Sequence, residues 1–254
     1  MRIADKVAVI TGAGSGIGWA LAERFMAEGA KAVVAADLQA DALEELARSC
    51  GAVPTVCDVT DEASLQAMIA KAETDHGPID IFCSNAGICE LGDETVPDED
   101  WALNWNLHVM AHVYAARALA EKMAARSEGY LINTASAAGL LSHIDSATYS
   151  VTKHAAVAFA EWVAIRYGDR GVRVSVLCPQ AVRTPMTEGR EGRVAAVDGM
   201  LEPAAVADCV VEAMAAERFL ILPHPEVQDY MRRKANDSER WLGGMRRLWE
   251  RYQE

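Results

Sequence analysis

A tyrosine and a lysine four residues apart, Tyr149 and Lys153, have the types and spacing of a proton-transfer pair. Residues at this spacing share one face of a helix. A free phenol, with a pKa of about 10, is a poor base at neutral pH. An ammonium about 4 Å away contributes roughly 4 kcal/mol at an effective dielectric constant of 20. The sequence therefore predicts that Lys153 lowers the pKa of Tyr149, so that the phenol exchanges a proton with a substrate hydroxyl.

Ser136 precedes Tyr149 by thirteen residues and is the third polar group of this set. A hydroxyl beside a reacting oxygen orients it and stabilises the charge that develops on it. The three residues together indicate chemistry at a carbon that bears oxygen. A Tyr-x-x-x-Lys pair by itself is common on helix surfaces, so the inference depends on the other motifs of the chain.

The strongest of these motifs is a glycine-rich turn, Gly12-x-x-x-Gly16-x-Gly18, between an apolar run and an amphipathic segment. Glycines at such a turn let the backbone approach a pyrophosphate, which then lies at the N-terminus of the following helix. A tight turn without a ligand has the same composition. The preceding strand, the following helix and an acid at the right distance favour a dinucleotide cradle.

That acid is Asp37, at the end of the second predicted strand. A carboxylate there accepts hydrogen bonds from an adenosine ribose and repels a 2′-phosphate. No basic residue stands at Ala13, Ser15 or Leu38, where a 2′-phosphate would need a cation. The sequence therefore predicts NAD rather than NADP as the cofactor. The alternative is that Asp37 only caps the next helix.

Polar residues also follow the third and fourth predicted strands. Asp58 is placed to accept from an adenine amino group or to cap the following helix, and both readings stay open. The small-residue turn Asn85-Ala86-Gly87 would let the backbone lie along the cofactor.

The elements that must position these residues alternate along the chain. Continuous apolar runs predict strands buried on both faces of a parallel sheet, and amphipathic runs between them predict helices. Alternation implies an α/β fold, a doubly wound Rossmann-type sheet of about seven strands, with ligands beyond the carboxyl ends of the strands. The predicted strands are 6–10, 31–36, 53–57, 79–84, 130–134, 172–177 and 219–222, and the predicted helices are 19–28, 41–49, 62–75, 101–126, 147–167 and 205–216.

Length and composition narrow the class of protein. The 254 residues fit one domain, and we expect 1–254 to be a single unit. A net charge of −13 argues against nucleic acid as a partner. No apolar stretch has the length of a membrane span. The chain leads directly into its first strand without room for a signal peptide, so a cytoplasmic location is expected. Six scattered cysteines predict reduced thiols rather than disulfides.

With these motifs in order, the chain resembles the short-chain dehydrogenase/reductase family from residue 6 to about residue 224. The resemblance implies an NAD-dependent oxidoreductase acting on a secondary alcohol or ketone, assembled as a homotetramer or homodimer. It implies that Tyr149 is the acid/base, that Lys153 binds the nicotinamide ribose, that Ser136 orients substrate and that Asn106 holds a water in a proton relay. Asn104 competes with Asn106 but lacks the following leucine.

The cofactor-binding residues predicted from the motifs and the resemblance are Gly12, Ser15, Gly16, Ile17, Gly18, Asp37, Leu38, Asp58, Val59, Asn85, Ala86, Gly87, Tyr149, Lys153, Pro179, Val182, Thr184 and Met186. Ser136, Leu140, His143 and Tyr149 are the predicted substrate contacts. Val182 and Thr184 are similar to the family residues that hold the carboxamide. One departure is Gln180, where the family usually has glycine, and a different turn is expected there because glutamine tolerates positive φ poorly.

Three further features leave alternatives open. His108 and His112 lie four residues apart, but no third ligand is evident, so we expect no metal and favour a structural or interface pair. Segment 187–201 is typical of a mobile lid. The tail 225–254 carries an apolar stripe that packs on its own domain, docks on a neighbouring subunit or closes a substrate mouth. An interface role is slightly favoured.

Two other functions remain as alternatives. One is a 3-oxoacyl-thioester reductase using NADPH, which Asp37 disfavours. The other is a non-catalytic dinucleotide sensor on the same fold, which would not need a tuned phenol.

Overall fold

Seven parallel strands form one sheet in the computed structural model, which describes residues 1–190 and 192–252. The strand order is β3-β2-β1-β4-β5-β6-β7. Every pairing is parallel, so the carboxyl ends of all strands face the same edge. The strands are β1 Val7–Thr11, β2 Ala32–Asp37, β3 Val53–Val56, β4 Ile81–Ser84, β5 Gly129–Thr134, β6 Val172–Leu177 and β7 Leu220–Ile221.

Helices connect the strands and cover both faces of the sheet. A π-helical turn, Asn106–Met110, joins α4 to α5. The helices are α1 Gly16–Ala27, α2 Ala40–Cys50, α3 Glu62–His76, α4 Asp98–Trp105, α5 Ala111–Ala125, α6 Ala138–Leu141, α7 Ala147–Tyr167, α8 Pro203–Ala215, α9 Glu226–Asn236 and α10 Ser238–Arg251. No helix in 1–190 or 192–252 is long and apolar enough to cross a bilayer.

The two faces of the sheet bury separate apolar clusters. One cluster joins the sheet to α3, α5 and α7, with Leu65, Leu119 and Val163 fully covered. The other joins it to α1, α2 and α8 and includes Phe25 and Val206. Complete burial of such side chains is worth roughly 1.5–3 kcal/mol each. This two-sided burial explains why the strands appear as continuous apolar runs in the sequence.

The predicted architecture is confirmed, with differences at particular elements. The single helix predicted over 101–126 is divided into α4, the π-helical turn and α5. The short helix α6 was missed. Helix α10 runs through the glycine pair Gly243-Gly244. The tail prediction extends to 254, and residues 253 and 254 lie outside the described chain.

Cysteine placement agrees with the expectation of thiols. All six cysteines are free, and Cys57, Cys83 and Cys178 are buried in the core. Burial raises the pKa of the Cys83 thiol far above its usual range and that of Cys178 to about 12. Such thiols pack as small apolar side chains.

The glycine-rich turn is fixed by the close approach of two segments. A Cβ at Gly18 would collide with the carbonyl of Gly12, and the Asn85 amide nitrogen would be 2.8 Å from it. Gly12 itself has a φ of +67°, in the left-handed region. Only glycine satisfies both conditions here.

We therefore expect Gly18→Ala to destabilise the protein by about 1–3 kcal/mol, as overpacking typically does. The measurement is the free energy of unfolding in urea. Gly168→Ala is the matched control, because no atom lies within 4 Å of a Cβ at that position. Equal stability of the two variants would contradict the close approach.

Candidate active site

A cavity of about 1420 Å³ lies at the carboxyl edge of the sheet. It runs from the ends of β1 and β2, past the ends of β4 and β5, to the C-terminal helices α9 and α10. Parallel α/β sheets bind ligands at this edge.

The first wall of the cavity is the glycine-rich turn and the start of α1. Ser15 precedes α1 without a side-chain capping bond, and the first turn of the helix contains no acidic residue. The backbone N–H groups at this end are therefore suited to an anion. Gly12, Ser15, Gly16 and Ile17 line the cavity, whereas Gly18 packs behind the turn.

Asp37 lies on the same wall, beside Leu38. Its carboxylate accepts the Gly14 N–H at 2.9 Å and the Gln39 N–H at 3.1 Å. The residue that caps α2 is Gln39, so Asp37 does not occupy the capping position that the alternative interpretation assigned to it. Its carboxylate ties the glycine-rich turn to the end of β2.

Asp58 and Val59 line the cavity next to this wall. Asp58 accepts the Thr60 backbone N–H at 2.8 Å and the Thr60 hydroxyl at 2.7 Å. The N-cap of α3 is instead Asp61, which accepts the Ala63 N–H. Asp58 therefore orders the loop after β3 and does not cap the helix.

Asn85 joins the ends of three strands. Its amide nitrogen donates to the Thr11 carbonyl at 3.1 Å, its amide oxygen accepts the Thr134 hydroxyl at 3.0 Å, and its backbone N–H donates to the Thr11 hydroxyl at 2.9 Å. The side chain therefore holds the floor of the cavity together, and Ala86 and Gly87 continue that floor.

Ser136, Tyr149 and Lys153 meet on the wall beyond this floor. The Lys153 ammonium lies 5.4 Å from the centre of the Tyr149 ring and donates to the Thr134 carbonyl at 3.0 Å. Ser136 is nearly buried, and its hydroxyl accepts the Ala138 N–H at 3.1 Å. Residues from β5, α7 and the intervening loop thus converge as predicted.

The pKa values of the pair differ from the expectation. Burial raises the pKa of the Tyr149 phenol well above its usual range, opposed by a hydrogen bond from Ser136. Burial also lowers the pKa of Lys153 to about 8. The prediction that Lys153 lowers the pKa of Tyr149 is therefore wrong for the chain alone, because removal of the phenol from water raises that pKa.

Asn106 is not part of this group. Its side chain is exposed and does not line the cavity. Asn104 is fully buried, but its amide nitrogen donates to the Asp100 carbonyl, one turn earlier on α4. Leu103 and Leu107 of this segment line the cavity, and the buried His108, two positions after Asn106, contacts the cavity floor through the Ile88 N–H. Residues two apart project about 200° from each other on a helix, which places them on opposite faces.

His108 links the cavity floor to the helix that carries Tyr149. Its Nε2 accepts the Ile88 N–H at 3.2 Å, so Nδ1 carries the proton and donates to the Thr152 hydroxyl at 2.9 Å. The imidazole lies edge-on to the Tyr149 ring, with ring centres 5.5 Å apart. Burial, with the Lys153 charge, holds the pKa of His108 well below its usual value.

His112 is buried one turn further along, where its Nδ1 lies 2.6 Å from the Ser84 hydroxyl. Burial lowers its pKa to about 3. The structural interpretation of the histidine pair is therefore supported, and the interface interpretation is wrong, because both rings are inside the chain. In 1–190 and 192–252, no group of three His, Cys, Asp or Glu side chains has the arrangement of a metal site. The spacing of the residues at 104, 108, 112 and 115, three or four apart, was the sequence signal for this interior face, and all four are buried.

The predicted substrate contacts separate into two groups. His143 lines the cavity and lies edge-on to Tyr149, with ring centres 6.1 Å apart. Its Nδ1 accepts the Asp145 N–H. Leu140 was wrongly assigned, because it packs against α9, whereas Leu141 faces the cavity.

The loop after β6 forms the roof. Its cavity-lining members include Pro179, Val182, Thr184 and Met186. Gln180 does not adopt positive φ, so the different turn expected there is not needed. Its backbone N–H donates to His224 at 3.2 Å, and its side-chain oxygen is buried without a partner among the described residues.

The C-terminal helices close the far end. Trp241, Met245 and Leu248 of the apolar stripe line the cavity, whereas Trp249 remains 47% exposed. Tyr230 anchors α9 through a 3.0 Å bond to Asp198. The tail therefore closes the mouth of the cavity in its own chain. Turns and short 3-10 segments make up the predicted lid 187–201, of which residue 191 lies outside the described chain.

Known proteins are similar to this chain in sequence. Residues 6–194 match the family model described as short chain dehydrogenase. The chain is 35% identical over 247 residues to 1-deoxy-11-beta-hydroxypentalenate dehydrogenase of Streptomyces exfoliatus, covering 93% of this chain and 90% of the relative. It is 35% identical over 196 residues to 2-(R)-hydroxypropyl-CoM dehydrogenase of Xanthobacter autotrophicus, covering 73% and 78%.

A solved structure is similar over nearly the whole fold. It is a short chain dehydrogenase/reductase from Burkholderia phymatum in complex with NAD, with a TM-score of 0.87 and 31% identity. The similarity covers 94% of this chain and 96% of that one.

The buried Lys153 yields a prediction about stability. Its folded pKa of about 8 lies below the unfolded value of about 10.5, so charged Lys153 destabilises the fold at neutral pH. The free-energy cost of burying the charged amine disappears as pH rises from about 8 to about 10.5. Relative to Lys153→Met, the wild type should gain up to about 3 kcal/mol of unfolding free energy over that range. Urea unfolding at both ends tests this. A difference that does not change with pH would contradict it.

His108→Phe should lower the free energy of unfolding by about 1–3 kcal/mol at neutral pH, because the partly buried Ile88 N–H loses its acceptor. The folded pKa of His108 is lowered, so its stabilising contribution is present above the unfolded value of about 6.5 and is lost as pH falls. The gap between wild type and variant should therefore shrink by about 1.4 kcal/mol per pH unit in acid. Urea titrations at several pH values measure the gap. Constancy of the gap would rule out a neutral buried imidazole.

Proposed function

We propose that this chain, which belongs to the short-chain dehydrogenase family, is an NAD-dependent oxidoreductase acting on a secondary alcohol or its ketone. The observation that carries the proposal is the meeting of Ser136, Tyr149 and Lys153 on one wall of the cavity whose other wall is the glycine-rich turn. A proton-transfer group and a dinucleotide cradle thereby share one continuous space.

The residues present fit a dinucleotide. The free N-terminus of α1 suits a pyrophosphate, and the loop after β3 suits the adenine. The Asp37 carboxylate beside Gly14 suits a ribose diol and disfavours a 2′-phosphate. Neither neighbour, Leu38 or Gln39, is cationic. These features support NAD over NADP.

At the reacting end, Pro179, Val182, Thr184 and Met186 form the roof that we assign to the nicotinamide. The buried, unpartnered oxygen of Gln180 is an additional acceptor in the same loop. A carboxamide donor would satisfy it, since buried polar atoms normally have partners. Bound NAD would supply the acceptor for the hydride that leaves the substrate carbon.

The side chains of this chain would manage the proton. Ser136 donates to the substrate oxygen and holds it against Tyr149. The Tyr149 phenol takes the carbinol proton in oxidation and returns it to the carbonyl in reduction. Lys153, fixed by the Thr134 carbonyl, would donate its remaining N–H groups to the nicotinamide ribose. His108 acts through Ile88 and Thr152 and is a positioning residue.

The raised pKa of Tyr149 has a consequence for direction. A protonated phenol is ready to donate, which suits ketone reduction at neutral pH, whereas oxidation needs the phenolate. A positive charge brought beside the ring by an oxidised nicotinamide would favour the phenolate.

The relatives support chemistry at a CH–OH group. The Streptomyces and Xanthobacter proteins are dehydrogenases whose names specify a hydroxypentalenate and a hydroxypropyl compound. We assign the same reaction class here.

Self-association belongs to the same proposal. On α7, Trp162 is 56% exposed and Ile165 is 85% exposed, and the Trp162 ring stacks on Phe159. Cover of this face by a second copy, as a homodimer or homotetramer, would remove the apolar surface from water. We also propose that the enzyme acts in the cytoplasm.

Tyr149→Phe tests the function. A spectrophotometric screen of secondary alcohols with NAD⁺ and with NADP⁺ should show turnover with NAD⁺, and the variant should lose at least about 100-fold of it, as removal of an acid/base group typically does. NAD binding, measured by calorimetry, should remain. Retained turnover in the variant would refute the assignment of Tyr149, and a preference for NADP⁺ would refute that of Asp37.

A further inference from the structure

Charge is distributed unevenly along the cavity. Its cofactor end carries Asp37 and Asp58, whereas its far end is lined by arginines. This far end is cationic in a chain whose net charge is −13. The arginines come from two separate parts of the chain, the lid and the α9–α10 hairpin, and they are Arg190, Arg193, Arg233, Arg240 and Arg247.

The acids at this end are few and already engaged. Asp145 lies 3.9 Å from Arg193, with which it forms a long ion pair. Asp237 accepts the Arg240 backbone N–H at 2.9 Å as the N-cap of α10. Within 1–190 and 192–252, no carboxylate lies within 4.0 Å of the side-chain nitrogens of the remaining four arginines. Their positive charge is therefore available to a ligand.

The cavity-facing side of α10 carries a particular pattern. It presents Trp241, Met245 and Leu248 together with Arg240 and Arg247, and no acid beyond the N-cap. The helix keeps its acids, Glu239 and Glu250, off the cavity. Apolar groups flanked by guanidinium groups bind a ligand that is apolar in its middle and anionic at one end.

Two of the other arginines are held in place. Arg190 donates to the Cys89 carbonyl at 3.0 Å, and the Arg233 guanidinium lies 5.5 Å above the centre of the Tyr230 ring. The first contact uses an N–H group of Arg190, and the second uses one face of the Arg233 guanidinium. Neither contact compensates the positive charge.

We infer that the substrate of the proposed reaction is an amphiphile, whose carbinol lies at Ser136 and Tyr149 and whose far end carries a carboxylate or phosphate held by Arg240 and Arg247. The inference rests on the proposed function for the place of the carbinol. Its apolar middle packs on Trp241, Met245 and Leu248. Attraction between guanidinium and oxyanion then selects anionic alcohols over neutral ones of the same shape.

The test uses fatty acids hydroxylated at the penultimate carbon, of increasing chain length, with their methyl esters as neutral counterparts. With NAD⁺, kcat/KM at the best length should favour the acid over its ester by about tenfold or more, the equivalent of about 1.4 kcal/mol. Equal kcat/KM for acid and ester at every length would overturn the inference. Matched hydroxyalkyl phosphates form the second arm of the test. The anion with the higher kcat/KM identifies whether the arginines bind a carboxylate or a phosphate.

Substitutions at Arg240 and Arg247 test whether these residues cause the preference for the acid over its ester. The double variant Arg240→Gln with Arg247→Gln should lose most of the acid-to-ester preference, whereas Arg240→Lys with Arg247→Lys should keep part of it. Arg246→Gln with Arg251→Gln is the matched control, because this pair lies on the same helix and removes the same two charges, and neither residue lines the cavity. An unchanged preference in the double Gln variant would overturn the assignment.

Binding separates this inference from the proposed function. Calorimetric titration of Tyr149→Phe with acid and ester requires no turnover. Selective binding of the acid without turnover of any alcohol by the wild type would support the anionic subsite and refute the dehydrogenase proposal. Turnover of acid and ester at equal rates would support the dehydrogenase and refute the subsite.

Discussion

The removal of the Lys153 amine from water is the interaction on which the rest of the site depends. A buried ammonium is costly unless it is hydrogen-bonded, and here the Thr134 carbonyl supplies one acceptor at 3.0 Å. The same burial raises the pKa of Tyr149 and lowers that of Lys153 to about 8. The fold therefore holds two groups whose pKa values differ from those in water, which is common at sites of proton transfer.

The rigidity around that pair comes from groups that do not touch the reacting atoms. Asn85 joins β1, β4 and β5, and His108 joins the cavity floor to α7. Both use nearly all of their hydrogen-bonding capacity within the chain. Their role is to fix where Tyr149 and Lys153 stand, and such support determines how precisely a site is formed.

The two ends of the cavity have opposite charge, although they belong to one space. We propose that Asp37, near the glycine-rich turn, discriminates between forms of a dinucleotide and that the arginines of α10 discriminate between substrates. The core of the fold builds the first end, whereas the lid and the C-terminal helices build the second.

The sequence by itself determined the sheet, the glycine-rich turn and the Ser136, Tyr149 and Lys153 set, because short-range periodicity and spacing encode them. It misplaced Asn106 and Leu140, since the π-helical turn and the face of a helix are decided by packing against α7 and α9. It also predicted the wrong direction for the pKa of Tyr149. Coulomb attraction can be read from spacing, but desolvation depends on every segment that covers the ring, and only the tertiary structure assembles that cover.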